Sequence, residues 1–123
     1  MHEESLVRSL FQQVDRLIEN NGGVTAREIH VEVGTLSGVE PALLSSAFER
    51  LIVQSTFPAA SLNVTTSVLT ARCEDCGSES EVRDFRFVCP QCEGRRLRVI
   101  SGDSVRLLSV VLELPEPANS GVI

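Results

Sequence analysis

Cys73-Glu74-Asp75-Cys76 and Cys89-Pro90-Gln91-Cys92 hold all four cysteines of the 123-residue chain, as two Cys-x-x-Cys pairs with twelve residues between them. Each pair sets two thiolates on one tight turn, and Gly77 behind the first pair and Pro90 inside the second suit such bends. Four thiolates at about 2.3 Å complete a tetrahedral zinc shell. The separation is slightly shorter than the usual zinc spacing of about 15 to 20 residues, and a short hairpin covers it. Val82, Phe85, Phe87 and Val88 are the candidates for that hairpin's apolar side. Below about 40 residues a chain seldom buries enough surface without metal or disulfides, so the metal is structural first.

Two disulfides, a redox dithiol and an iron–sulfur cluster compete with zinc. No charged segment followed by an apolar one opens the chain, which argues against secretion and for the cytoplasm, where thiols stay reduced. A redox dithiol needs only one pair, and four soft ligands in two turns suit zinc, with an iron–sulfur cluster the minority option. Four sulfurs leave no open position for hydrolysis.

The remainder, about 100 residues, suffices for one modest core, so the expectation is a small domain with the metal module inserted into it. No apolar run approaches the roughly 18 residues of a membrane span. The net charge is −6 and all eleven cations are arginine, a balance that argues against a nucleic-acid polyanion. The excess is spread out: residues 1–72 carry five Arg against eight acids, 73–98 five against six, and 99–123 one against three.

From Ser5 to Asn20, the residues Leu6, Val7, Leu10, Phe11, Val14, Leu17 and Ile18 recur at three- and four-residue steps, the stripe of a helix. Glu3 and Glu4 suit the positive end of its dipole, and Asn20-Asn21-Gly22-Gly23 stops it. Ile29, Val31 and Val33 alternate with His30, Glu32 and Gly34 as in a half-buried strand, which leaves His30 on the polar face. Glu40-Pro41 starts a second helix with Leu43, Leu44, Ala47, Phe48, Leu51 and Ile52 on its apolar face. A second strand is expected from Leu62 to Thr70, with Leu62, Val64, Thr66, Val68 and Thr70 on one side, running straight into Cys73. After Cys92, Leu97, Val99 and Ile100 leave the module and Gly102-Asp103 turns the chain. Val105–Leu114 then reads as a third strand whose near-continuous apolar run suggests burial on both faces or a central place. The fold class is therefore α+β: two helices packed on a three-stranded sheet, with an inserted four-cysteine zinc-ribbon module. Residues 1–72 plus 97–114 form the α/β domain, 73–96 the ribbon, and 115–123, rich in Pro, Gly, Ser and Asn, a disordered tail.

One feature is left over: the chain begins Met1-His2-Glu3. With histidine second, the Met1 amine, the His2 backbone nitrogen and the imidazole close two chelate rings on one metal. Three coplanar nitrogens suit Ni(II) or Cu(II). The amine, with a pKa of about 7.7 to 8.0, must lose its proton, so capture weakens in acid. Bulky His2 favours retention of the methionine. Frayed first residues of a helix are the plainer reading.

In combination, these segments resemble the HypA/HybF family of hydrogenase nickel-incorporation proteins. The resemblance runs to about Glu113. It is carried by Met1-His2-Glu3, Leu6, the stretch Ile29-x-Val31-x-Val33-Gly34-x-Leu36-Ser37-Gly38-Val39-Glu40-Pro41, Ala47-Phe48-Glu49, Cys73-x-x-Cys76-Gly77 and Cys89-Pro90-x-Cys92. It implies a metallochaperone and not an enzyme: Ni(II) held at Met1, His2 and the backbone nitrogen of Glu3, with Glu40 near that site, and structural Zn(II) on Cys73, Cys76, Cys89 and Cys92. It also implies delivery toward the hydrogenase large-subunit precursor, with a nickel-delivering GTPase as partner, by a monomer or homodimer. Glu93, where many relatives have glycine, and the tail beyond Leu114 depart from the pattern. The alternative is a zinc-ribbon nucleic-acid or protein-interaction module, which on nucleic acid needs a basic face with stacking aromatics. The chain has no Trp or Tyr and five Phe, at least three of them on core stripes.

Overall fold

The computed structural model describes residues 3–115. Met1 and His2, and all of the expected disordered tail except Pro115, lie outside the described residues.

Helix α1 spans Glu3–Asn20 and buries Val7, Leu10 and Val14, one stripe at helical spacing. It ends where the glycines predict: Gly22 takes φ 64°, Gly23 N–H donates to the Ile18 carbonyl at 2.8 Å, and Asn21 Nδ2 donates to that of Leu17 at 2.8 Å. Strand β1 is Thr25–Gly34, α2 is Pro41–Ile52 and β2 is Ser61–Ser67. β1 and β2 pair in parallel, with Ile29 opposite Leu62 and Val31 opposite Val64, so α2 is the crossover such a pair requires. The last strand of the chain, β6 (Val105–Glu113), lies antiparallel on the other side of β1. The order is β2-β1-β6, the expected two helices with a three-stranded sheet.

The core lies between β1 and the helices: Ala26, Ile29, Val31 and Val33 from the strand, Leu44, Ala47, Phe48 and Ile52 from α2. Phe57, just beyond α2, is fully buried, and Phe11 meets both Phe48 and Phe57 edge to face at centroid distances of 5.7 and 5.2 Å. Leu43 departs from the expected face; at 55% exposure it points out of α2. Central β1 shields its polar face only partly, with His30 Nε2 3.1 Å from Glu28 Oε1 and Arg106 donating to Glu32 at 2.8 Å.

A second sheet holds β3 (Thr70–Cys73), β4 (Glu79–Glu81) and β5 (Leu97–Ser101) in the order β4-β3-β5. Four expectations are corrected. The strand expected over Leu62–Thr70 is broken at Val68-Leu69, because Ser67 ends its ladder with β1 and Thr70 begins another with Glu81. Thr66 and Val68 are consequently exposed. Thr70–Arg72 and Leu97–Ser101, read as parts of the first lobe, pair with each other in the ribbon sheet, and Thr70–Arg72 pairs with β4 on its other side. A small core of Leu69, Ala71 and Val82, with Phe87, Leu97 and Val99 against it, sits under that sheet. Phe85 and Val88, expected there, are 56% and 40% exposed, because Asp84 and Phe85 form a left-handed turn (φ 53° and 55°) closed by Arg86 N–H on the Arg83 carbonyl at 3.0 Å. Finally, β6 is an edge strand with one buried face: Leu107, Val110 and Leu112 pack on the core, while Leu108 and Val111 are 48% and 40% exposed.

The lobes meet at two glycines. Leu36 N–H donates to the Gly102 carbonyl at 2.7 Å and Gly34 N–H to that of Ser104 at 2.9 Å. A Cβ on Gly34 would collide with the Gly102 carbonyl, and one on Gly102 (φ 94°) with the Val68 carbonyl.

Candidate metal centre

The four cysteines converge, each at one end of a short strand or knuckle. Cys73 ends β3, and its N–H donates to the Ser78 carbonyl at 2.9 Å while its own carbonyl accepts from Gly77 at 2.8 Å. The second knuckle repeats this pattern: Cys89 N–H donates to the Gly94 carbonyl at 2.8 Å, and its carbonyl accepts from Glu93 at 2.9 Å. Both turns need a left-handed residue at the fifth position. Gly77 takes it at φ 77° and Glu93 at φ 62°, so the knuckle keeps its shape without glycine. The knuckles are clamped by Arg96, whose Nε donates to Asp75 Oδ1 at 3.1 Å, and by Glu74 N–H on the Arg96 carbonyl at 2.8 Å. That carboxylate also raises the Arg96 pKa.

All four Sγ atoms lie within 4.8 Å of one another, with Cys73 to Cys92 and Cys76 to Cys89 both 3.6 Å apart. A sulfur tetrahedron of radius about 2.3 Å has edges of about 3.8 Å, so the cluster fits zinc. The cysteines are free thiols, Cys73 and Cys89 buried, Cys76 and Cys92 exposed. Their chemistry differs from one position to the next. Cys89 is lowered to about 6, chiefly by the Ser78 hydroxyl and then by backbone N–H groups. Cys92 is pushed up to about 12; the Gly94 backbone hydrogen bond opposes the rise, and Cys73, burial, Cys76 and Cys89 drive it. Four thiols this close cannot all ionise without a cation, so metal uptake expels protons.

Of the residues implied for nickel, Met1 and His2 are outside the described residues. Glu3 opens α1, half-buried, beside a hollow of about 150 Å³ lined also by Glu4, Leu43, Ser46 and Arg50. Glu40 is the N-cap of α2, exposed, and its side chain makes no capping hydrogen bond. It does not line that hollow, but Leu43, less than one turn on, does. Sequence reasoning missed Ser78, Asp75 and Arg96; the only signal was their place inside or beside the cysteine pairs.

The fold and the site define a class: a two-lobed α+β protein whose second lobe is a ribbon closed on four cysteine sulfurs. A family model described as "Hydrogenase/urease nickel incorporation, metallochaperone, hypA" matches residues 1–112. Relatives named hydrogenase maturation factor HypA include that of Shewanella baltica (strain OS185), 35% identical over 94% of this chain and 99% of its own. The one from Aquifex aeolicus is 35% identical over 93% and 99%. The solution structure of the Ni metallochaperone HypA from Helicobacter pylori superposes with a TM-score of 0.73 at 25% identity, over 94% of this chain and 100% of that one. The chain belongs to the HypA family, which consists of maturation metallochaperones and not of enzymes.

Proposed function

We propose that this protein is a nickel metallochaperone that takes Ni(II) at its N-terminus and delivers it for maturation of nickel–iron hydrogenase, with urease as a second client, while Zn(II) is structural. The observation that carries the reading is family membership over residues 1–112, a span that includes Met1-His2-Glu3 and all four cysteines. The Met1 amine, the His2 backbone nitrogen and imidazole, and the Glu3 backbone nitrogen are the nickel donors. A cation at the start of α1 meets the positive end of a helix dipole, and Glu3, Glu4 and Glu40 supply the opposing charge. Labour divides by sheet: nickel belongs to the β2-β1-β6 lobe and zinc to the ribbon, where it ties the two knuckles together. Handover involves a nickel-delivering GTPase and the hydrogenase large-subunit precursor in the cytoplasm, with the chain a monomer or homodimer. Among the described residues no helix is long and apolar enough to cross a membrane.

The test is Ni(II) titration of untagged, zinc-loaded protein. His2→Ala and a long N-terminal tag should each weaken Ni(II) binding sharply and leave zinc content unchanged. Equal affinity in His2→Ala would place the nickel site elsewhere. A second reading, the ribbon as a docking module, draws on one feature: Phe85 is exposed between Arg83 and Arg86, beside a groove floored by Val88 and Pro90. Salt-dependent binding of single-stranded nucleic acid would favour it.

A further inference from the structure

The two knuckles are near copies, and they differ where it matters to the sulfurs. Ser78 and Gly94 hold equivalent places, each accepting the N–H of its own knuckle's first cysteine. Each also donates its backbone N–H to the exposed sulfur of its knuckle, Ser78 to Cys76 and Gly94 to Cys92. Only Ser78 adds a hydroxyl. Its Oγ lies 3.1 Å from Cys76 Sγ and 3.4 Å from Cys89 Sγ, astride the edge that joins those two sulfurs. At Gly94 a Cβ would stand 3.1 Å from Cys92 Sγ and 3.5 Å from Cys73 Sγ, so a hydroxyl there would reach the opposite edge. The position is bare, and the polar atom next to it is Asp75 Oδ2, 2.7 Å from that point, an acceptor with no proton for a thiolate. Cys76 and Cys92 are the two exposed cysteines, and of these only Cys76 has a hydroxyl beside its sulfur in addition to a backbone N–H.

A hydrogen bond to a thiolate occupies the lone pair with which it attacks an electrophile. We propose that Ser78 divides the four thiolates into a guarded edge, Cys76–Cys89, and an open edge, Cys73–Cys92, and that exposed Cys92 is the sulfur at which electrophiles open the metal-loaded ribbon. This rests on the reading of the four cysteines as a zinc shell. With iodoacetamide as the electrophile, a Cys92 lone pair forms the new C–S bond and iodide leaves with the electrons of the broken C–I bond. The product is a neutral thioether, a weak zinc ligand, and the shell loses one negative charge.

The experiment treats the zinc-loaded full chain with limiting iodoacetamide, follows zinc with a chromogenic chelator and maps the modified cysteines by mass spectrometry. Cys92 is expected to be modified first, in step with zinc release. In Ser78→Ala, Cys76 should react about fivefold faster, the worth of one ordinary hydrogen bond, with Cys92 unchanged. Ser78→Thr should keep the parent pattern. A merely structural role for Ser78 would speed all four cysteines together, so the Cys76-to-Cys92 ratio is the deciding quantity, and in the parent it needs no variant at all. Equal rates at Cys76 and Cys92 in the parent, or an unchanged ratio in Ser78→Ala, overturns the proposal. A parent protein that binds no zinc overturns it together with the zinc reading, and direct metal analysis of the untreated sample tells the two failures apart.

Discussion

Replacing Glu93 with glycine should strengthen the ribbon. Gly77 and Glu93 occupy matching left-handed positions, at φ 77° and 62°, each donating its N–H to the first cysteine of its knuckle. A side chain in that conformation costs roughly 1–2 kcal/mol, because Cβ crowds the following carbonyl. Glycine removes the strain but widens the unfolded ensemble, which returns about 0.4–1 kcal/mol. Glu93 is exposed and no ion pair of it is found among the described residues, so nothing else is lost. The net gain is about 0.5–1 kcal/mol, equivalent to two- to fivefold tighter zinc, since each 1.4 kcal/mol is tenfold. Gly77→Ala is the mirror experiment. Nothing lies within 4 Å of its would-be Cβ, so its loss of about 1 kcal/mol is purely conformational. Competition against a chelator at fixed pH reads both. If Glu93→Gly holds zinc no more tightly than the parent while Gly77→Ala costs nothing, the left-handed geometry is not what limits the knuckles.

Gly102→Ala should cost about 3 kcal/mol or more in urea unfolding, from a positive φ and a backbone clash combined; a loss under 1 kcal/mol would show that the lobe junction yields. Phe57→Ala removes a fully buried ring and should cost about 3–5 kcal/mol, with α2 losing protection from hydrogen exchange before the ribbon does. For proton linkage the sign follows from the thiols. Without metal Cys92, near 12, keeps its proton throughout the neutral range, while Cys89, near 6, has largely lost its own. Zinc uptake at pH 7.5 should therefore release at least one proton per ion, and affinity should fall as pH falls, most steeply once Cys89 also protonates below about 6. Calorimetry in two buffers of different ionisation enthalpy measures the release, and a value of zero would contradict the shared-sulfur geometry. Stripping the zinc should change Ni(II) affinity in a parallel titration; identical affinity would make the ribbon a passive or docking element.

Much of the fold was legible because it depends on local periodicity. The stripe from Leu6 to Ile18, the Asn-Asn-Gly-Gly stop and the Glu40-Pro41 start each report short-range physics, and each stands where the sequence placed it. What depends on partners was not legible. Val68-Leu69 continues the alternation of β2, yet the ladder partner changes there, and no residue type announces a change of partner. Glu79–Glu81 is a strand only because β3 lies beside it; alone its sequence reads as loop. β6 read as buried on both faces because apolar residues crowd it, but an edge position leaves Leu108 and Val111 uncovered. The metal centre divides in the same way. Spacing revealed its four sulfurs, whereas the Ser78 hydroxyl acquires its role only once Cys89 is folded over it from eleven residues away.

That partner dependence bears on how the two lobes could influence each other. The ribbon joins the first lobe through two strands of chain, Val68-Leu69 and Gly102-Asp103; Gly102-Asp103 is pressed against the end of β1 at Gly34, and Val68-Leu69 against Gly102. Each is tied to the Thr35–Leu36 segment through a backbone carbonyl. Ser67, just before the first, accepts from the Thr35 hydroxyl at 2.7 Å, and Gly102 accepts from Leu36 at 2.7 Å. Leu69 in turn accepts from Val82 inside the ribbon at 2.7 Å, so the junction belongs to both hydrogen-bond systems at once. From Leu36 the chain needs only four residues to reach Glu40, through a turn in which the Ser37 hydroxyl accepts from Val39 N–H at 3.2 Å. A metal on the four cysteines would brace Cys73 at the end of β3, and the junction groups its loss would reach first are Leu69, beside β3, and Gly102, beside β5. Any effect on the first lobe, the one proposed to hold nickel, would thus enter at the Gly34–Leu36 loop and arrive at the N-cap of α2, which is where Glu40 stands. A route made of close-packed glycines has little side-chain slack to absorb a shift, and that is the physical reason to expect the two metals to sense each other.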